Sequence, residues 1–306
     1  MTQLPQLDAA LFLTDGGAET TLIFDDGIDL PDFAAFPLLD DPDGHAALTR
    51  YFERYASIAE RDGAGVVLET ATWRASRDWG ERLGYDARRL ESANRKAVDL
   101  LLDVRQRFAI PVVISGCVGP RGDAYRPDTT MTREQARDYH SAQIRTFADT
   151  PADLVTAMTL TNVPEATGIV DAARDAGVPV VISFTVETDG RLPSGDTLGD
   201  AIEAVDRDTD GYPLYYMVNC AHPTHIAPGL DPGAAWAPRL RGIRANASRM
   251  SHAELDEAEV LDRGDPEELA DDYRELRRTF PQLTVLGGCC GTDHRHVDAV
   301  SRAFSG

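Results

Sequence analysis

Lysine is almost missing from this chain: Lys96 is the only one, and every other basic residue counted is an arginine. Basic residues of both kinds number 30 against 51 acidic ones, for a net charge of −21. Such a surface repels phosphate backbones and anionic lipid, which excludes nucleic acid and membrane surfaces as partners. No run of about 18 apolar residues occurs, so no membrane span is expected. Residues 1–13 lack a basic segment followed by an apolar stretch, so no export leader is expected, and the expected location is the cytoplasm. Cysteine is sparse too, four in 306 residues, which fits a reducing compartment. Gly16-Gly17 lacks the G-x-G-x-x-G spacing of a nucleotide loop. The acidic excess reads either as an ordinary solvated surface or as adaptation to a salty cytoplasm whose ions screen self-repulsion; the arginine bias alone also follows from gene base composition.

What is present is an alternation. Hydrophobic residues make up 42% of the chain, enough for a large core. Short β-rich runs lie at 11–15, 65–70, 111–115, 153–158, 178–184, 214–218, 241–245 and 283–286. Between them lie amphipathic stretches, among them 45–61, 87–108, 133–148, 165–176, 267–280 and 293–304. Their apolar residues recur at helical spacing, as in Leu90, Ala93, Ala97, Leu100 and Leu101. Asp62-Gly63, Ile110-Pro111 and Gly177-Val178-Pro179 punctuate helix-to-strand joins. The sixth helix, within 221–230, is rich in proline and glycine and is expected to be short. Eight strands in this order predict a (β/α)8 TIM barrel, one domain over 1–306.

Barrels of this kind carry their sites at the C-terminal strand ends. Asp15 closes the first strand, Glu69 and Thr70 the second, and Met158 the fourth; Cys117, Cys220 and Asn246 follow the third, sixth and seventh, and Cys289 and Cys290 follow the eighth. Adjacent cysteines bridge only with strained geometry. Two vicinal thiols plus a distant one suit instead a three-thiolate zinc site with its fourth position open. Buried structural thiols are the alternative. Zinc held by three thiolates takes soft ligands well and deprotonates an incoming thiol, which suits sulfur alkylation better than hydrolysis. Cys117 is expected as a pocket wall, and His222, His225, His294 and His296 as non-ligands, with His294 and His296 at the surface. Thr292 is expected to cap the last helix. Glu69 is either a substrate ligand or the partner of an arginine such as Arg74.

Several segments resemble those of the homocysteine S-methyltransferase family. Gly287-Gly288-Cys289-Cys290-Gly291-Thr292 and Val218-Asn219-Cys220 are similar to its two zinc motifs. Asp15-Gly16-Gly17-Ala18-Glu19-Thr20 resembles its Asp-Gly-Ala-Met-Gly-Thr motif, and Ser115-Gly116-Cys117-Val118-Gly119-Pro120 its Gly-Ser-Val-Gly-Pro loop. Ser183-Phe184-Thr185 and Ala245-Asn246-Ala247-Ser248 have counterparts after strands five and seven. The resemblance implies one Zn2+ on Cys220, Cys289 and Cys290, with a homocysteine sulfur completing the coordination. It implies that Asp15 and the nearby backbone, Gly16 included, help hold the amino acid; Glu69, Thr70, Asn219 and Asn246 are candidate substrate contacts from their strand-end positions. The partners it implies are a small-molecule thiol acceptor and a methyl donor of the S-methylmethionine or S-adenosylmethionine type. Betaine is disfavoured, and there is no room for a cobalamin or folate module. Association of like copies is left open.

One departure stands out. The family commonly carries Glu-Thr-Leu-Pro-Asn after strand four, its glutamate facing the homocysteine ammonium, where this chain has Met158-Thr159-Leu160-Thr161-Asn162. A thioether cannot pair with an ammonium. Either Glu187 or Glu69 supplies the charge, or the acceptor is a thiol without that ammonium. Beside thiol methylation stand the same chemistry on another acceptor and a zinc-binding barrel without catalysis.

Overall fold

The computed structural model describes residues 4–8, 10–124, 130–258 and 260–304. Eight strands close into one parallel barrel in sequence order: β1 (Phe12–Thr14), β2 (Gly65–Glu69), β3 (Val112–Val118), β4 (Leu154–Leu160), β5 (Val180–Phe184), β6 (Tyr216–Asn219), β7 (Leu240–Ala245) and β8 (Val285–Gly288). β1 pairs with β8, Phe12 opposite Val285, so no edge is left exposed.

Eight helices cover the barrel, one after each strand: α2 (Pro42–Asp62), α4 (Ala87–Arg105), α5 (Arg133–Ala148), α6 (Val163–Ala176), α7 (Leu198–Asp208), α8 (Pro223–Ile226), α10 (Pro266–Thr279) and α11 (His294–Phe304). Their ends are written in the sequence. Asp41 caps α2 by accepting from Gly44 N at 2.7 Å, with Pro42 at its first position, and Gly63 at φ 70° ends it. Asn162 and Gly177 bound α6 in the same way, and Thr132 and Gln135 form a capping box on α5. The short sixth helix is as expected. Three further helices, α1 (Ala18–Phe24), α3 (Arg77–Arg82) and α9 (His252–Glu257), sit in the loops that follow β1, β2 and β7. Among the described residues no helix is long and apolar enough to cross a membrane.

Side chains alternate along each strand, so every second residue fills the barrel. One end is apolar, where Phe12, Val67, Val113, Leu154, Val181, Met217 and Val285 pack together. Two residues further along the same strands the lining turns polar: Thr14, Glu69, Ser115, Thr156, Ser183, Asn219 and, from β7, Arg244, all buried. The outward set, including Leu13, Leu68, Ile114, Ile182, Ile243 and Leu286, packs under the helices. The apolar layer closes the barrel floor, and the polar layer supports what stands above it.

Four sequence expectations need correction. Cys117 lies inside β3 rather than after it, because the strand runs on to Val118. Met158 lies inside β4 rather than at its end, because the strand runs on to Leu160 through an irregularity: Thr159 adopts φ 63° and the register with β5 shifts between Ala157 and Leu160. Thr292 does not cap α11; its hydroxyl donates to Cys289 O at 2.7 Å, while Asp293 Oδ1 accepts from Arg295 N at 2.8 Å. His296 is buried, held between Asp293 Oδ1 at 3.1 Å and Arg263 O at 2.7 Å.

Candidate metal centre and its cavity

The sulfurs of Cys220, Cys289 and Cys290 lie within 4.8 Å of one another, and Cys220 Sγ is 3.6 Å from Cys290 Sγ. Tetrahedral zinc with Zn–S bonds of about 2.3 Å places its sulfurs roughly 3.8 Å apart, so the trio fits that ion. The backbone holds it there. Cys220 leaves β6 at φ 61°, its N–H donating to Arg244 O at 3.1 Å and its carbonyl accepting from His252 Nε2 at 2.7 Å. Cys289 N donates to Ala245 O at 2.8 Å, and Cys290 O accepts from Ala247 N at 3.1 Å. Strand β7, between the two cysteine segments, thus fixes both.

Asn219 braces the trio from below. Its Oδ1 accepts from Thr159 N at 2.8 Å and Ser183 Oγ at 2.6 Å, and its Nδ2 donates to Thr159 Oγ1 at 2.8 Å and faces Cys289 Sγ at 3.9 Å. Asn219 is therefore fully engaged and locks the irregular turn of β4 to the cysteine trio.

Arg244, not singled out in the sequence, brings a cation into the barrel. It is buried and pairs with Asp15 Oδ1 at 2.7 Å, while its Nε and Nη2 donate to Gly288 O at 3.0 Å and Gly16 O at 3.1 Å. Tyr51 donates to Asp15 Oδ2 at 3.0 Å. Burial nonetheless leaves the Asp15 pKa raised, against the pull of Arg244 and Tyr51. Hydrogen bonds from Cys220 and Cys290, with the Arg244 charge, hold the Cys289 thiol well below its usual range. Cys117, by contrast, is pushed well up by burial and then by Glu69, and it stands outside the sulfur trio, a wall residue.

A cavity of about 390 Å³ opens above the sulfurs. Asp15, Gly16, Glu69, Thr70, Met158 and Asn219 line it together with the three cysteines. Glycine is required at 16, where a Cβ would stand 2.7 Å from the Tyr55 hydroxyl. Glu187 and Asn246 do not line the cavity: Glu187 Oε1 accepts from His252 Nδ1 at 3.2 Å, and Asn246 is buried immediately after β7. Glu69 is not paired with Arg74. Its Oε2 has no hydrogen-bond partner among the described residues, and burial pushes its pKa up to about 7 against the nearer charge of Arg244. Arg74 reaches instead toward Asp123 at 3.9 Å. A second carboxylate missed in the sequence, Glu19 on α1, lines the same cavity, and burial pushes it up to about 7 as well. Its signal was there: it takes the place of a glycine in the motif it resembles.

The histidines near the cysteines serve the scaffold, and none belongs to a metal-capable group among the described residues. His222 caps α8 by accepting from Thr224 N at 3.2 Å, and burial drives its pKa down to about 4, so it is neutral at pH 7. His252, which the sequence did not flag, holds the Cys220 carbonyl and thereby the thiol's aim.

Comparison with known proteins follows the same outline. The family model for homocysteine S-methyltransferase matches residues 12–304. Homocysteine S-methyltransferase 1 of Arabidopsis thaliana is 22% identical over 95% of this chain and 92% of its own length. Selenocysteine Se-methyltransferase of Brassica oleracea var. italica is 24% identical over 99% of this chain and 91% of its own. The metallated homocysteine methyltransferase MmuM of Escherichia coli superposes with a TM-score of 0.74 at 21% identity, covering 96% of each chain, which supports the shared fold.

Proposed function

The chain belongs to the homocysteine S-methyltransferase family and is a methyltransferase, and from that premise we propose that it moves a methyl group from a small sulfonium donor to the sulfur of homocysteine or a related thiol. The observation that carries the proposal is the trio of Cys220, Cys289 and Cys290, within 4.8 Å and facing a cavity. Bound there, zinc would supply the fourth coordination position in which an acceptor thiol loses its proton and becomes a nucleophile.

The residues around it do the rest. Arg244 holds Asp15 and the carbonyls of Gly16 and Gly288 in one rigid frame, and Asn219 and His252 aim the cysteines. The acceptor sulfur attacks the methyl carbon in line; the carbon–sulfur bond of the donor breaks, and the electron pair stays on the donor sulfur, which leaves as a neutral thioether. Glu19, Asp123, Asp256 and Asp262 line the cavity, and this acidic lining suits a cationic donor of the S-methylmethionine or S-adenosylmethionine type. Three reduced thiols fit the reducing cytoplasm.

Met158 removes a carboxylate from β4, yet Glu69 and Glu19 bring two into the same cavity. That favours an acceptor with an ammonium group, homocysteine first among them. Met158 itself, with an apolar wall of Phe24, Phe33 and Trp73, favours a second acceptor class, thiols without the ammonium. The test is a matrix of acceptors and donors with zinc-reconstituted, reduced protein. Homocysteine is expected to outperform its des-amino analogue, with that preference lost in Glu69→Gln or Glu19→Gln. A wild type indifferent to the amino group, in which Met158→Glu creates the preference, establishes the second class. No transfer to any thiol from any sulfonium overturns the proposal.

A further inference from the structure

Arg74 lines the cavity from the segment between β2 and α3. Its side chain is nine-tenths buried, with 10% of its surface exposed. The guanidinium lies 3.6 Å from the centroid of the Trp79 ring and 4.8 Å from that of Trp73. The two rings fix its plane and shield it from water, and cation–π contact accounts for the faces only. The edge is unspent: among the described residues Nε and Nη1 have no hydrogen-bond partner, and the ion pair with Asp123 is long at 3.9 Å. A buried guanidinium with two unused donors is costly unless something accepts from them. Each of the two shares an edge with Nη2, which makes only the long approach to Asp123, so either edge offers the fork that matches a carboxylate in two parallel bonds. Trp73, which carries one of the rings, also lines the cavity and donates to Met158 O at 3.5 Å, which ties Arg74 to the wall above the thiols.

We propose that Arg74 receives a carboxylate of the molecule that enters above the cysteines, and so restricts the site to substrates carrying one. The proposal rests on this cavity being the place of methyl transfer. It names a chemistry that either the acceptor thiol or the sulfonium donor can supply.

Two substrate pairs separate the sources: homocysteine against 3-aminopropanethiol, and S-methylmethionine against its decarboxylated counterpart, (3-aminopropyl)dimethylsulfonium. With zinc-loaded enzyme, Arg74→Gln is expected to raise KM for the carboxylate-bearing member of one pair about 10- to 100-fold, with kcat and the decarboxylated member unchanged. Arg74→Lys is expected to recover part of the loss. The pair that loses its discrimination identifies which substrate carries the carboxylate. Discrimination unchanged in both pairs overturns the proposal, whether or not the variant melts earlier, because a purely packing role for Arg74 lowers stability without changing the ratio. A second readout is independent of turnover. Titration of zinc-free protein with S-methylmethionine and with 4-mercaptobutanoate, followed by tryptophan fluorescence, should give affinities weakened by a similar factor in Arg74→Gln for the probe whose carboxylate is read. Equal affinities in wild type and variant, or no binding of either probe to wild type, overturn it even if no methyl transfer is ever found.

Discussion

Removing the Arg244 guanidinium tests the frame beneath the cysteine trio. Arg244→Met keeps much of the apolar stem but deletes the charge that faces Asp15 at 2.7 Å and the donors to Gly288 O and Gly16 O. Breaking one side of a buried ion pair costs about 3–5 kcal/mol, because the remaining charge is stranded. Two carbonyls also lose donors, and those costs overlap with the first rather than add to it. Asp15 would protonate more readily, since its raised pKa loses the opposing pull of Arg244. Asp15→Asn alone strands the arginine, and the double variant strands neither. The expectation is therefore a denaturation free energy lower by about 3–5 kcal/mol in either single variant, with the double variant less destabilised than the sum. Zinc competition with a chelator should show weaker retention in Arg244→Met, because a nearby cation no longer offsets the thiolates. A single variant that costs under about 1 kcal/mol, or strict additivity of the pair, refutes the idea that the ion pair frames the site.

Glu69→Gln should change the pH profile of stability. The carboxyl is protonated in the folded state up to about 7 but only to about 4.5 in the ordinary range, so the folded protein loses stability as pH rises from 4.5 through 7. At about 1.4 kcal/mol per pH unit the loss reaches about 3 kcal/mol, and glutamine should remove it, with unfolding at pH 5 and pH 8 as the check. Cys220→Ala should abolish zinc retention while circular dichroism still reports a folded barrel; full retention would break the assignment of that ligand. With a net charge of −21, a salt-adapted surface should show a melting temperature that climbs steeply with added salt, and a flat response leaves compositional bias as the explanation.

The barrel and the cysteine trio were legible because their signals are local. Each strand is a β-rich run between helix signals, and the cysteines mark strand ends directly, so Cys220, Cys289 and Cys290 converge once the ring closes. What depends on the ring itself was not legible. An arginine near the end of β7 reads as an ordinary charged residue until seven other strands enclose it and Asp15 meets it from the end of β1. Met158 was placed at a strand end because the irregularity at Thr159 has no composition of its own; Asn219, sixty residues on, holds it. Glu69 is the last residue of β2, whereas Glu187 lies three residues beyond β5, where the chain turns it toward His252 instead of the cavity. Strand-end position places a residue on the rim, not its side chain in the pocket. Glu19 rides on a seven-residue helix too short to carry a periodic pattern.

X-ray absorption at the zinc edge, on protein kept reduced without thiol reagents, tests the central claim most directly. One zinc per chain is expected, bound by three sulfurs and one light atom, with a fourth sulfur appearing when homocysteine is added. Four sulfurs before any thiol is added, or three that stay unchanged in its presence, would contradict it.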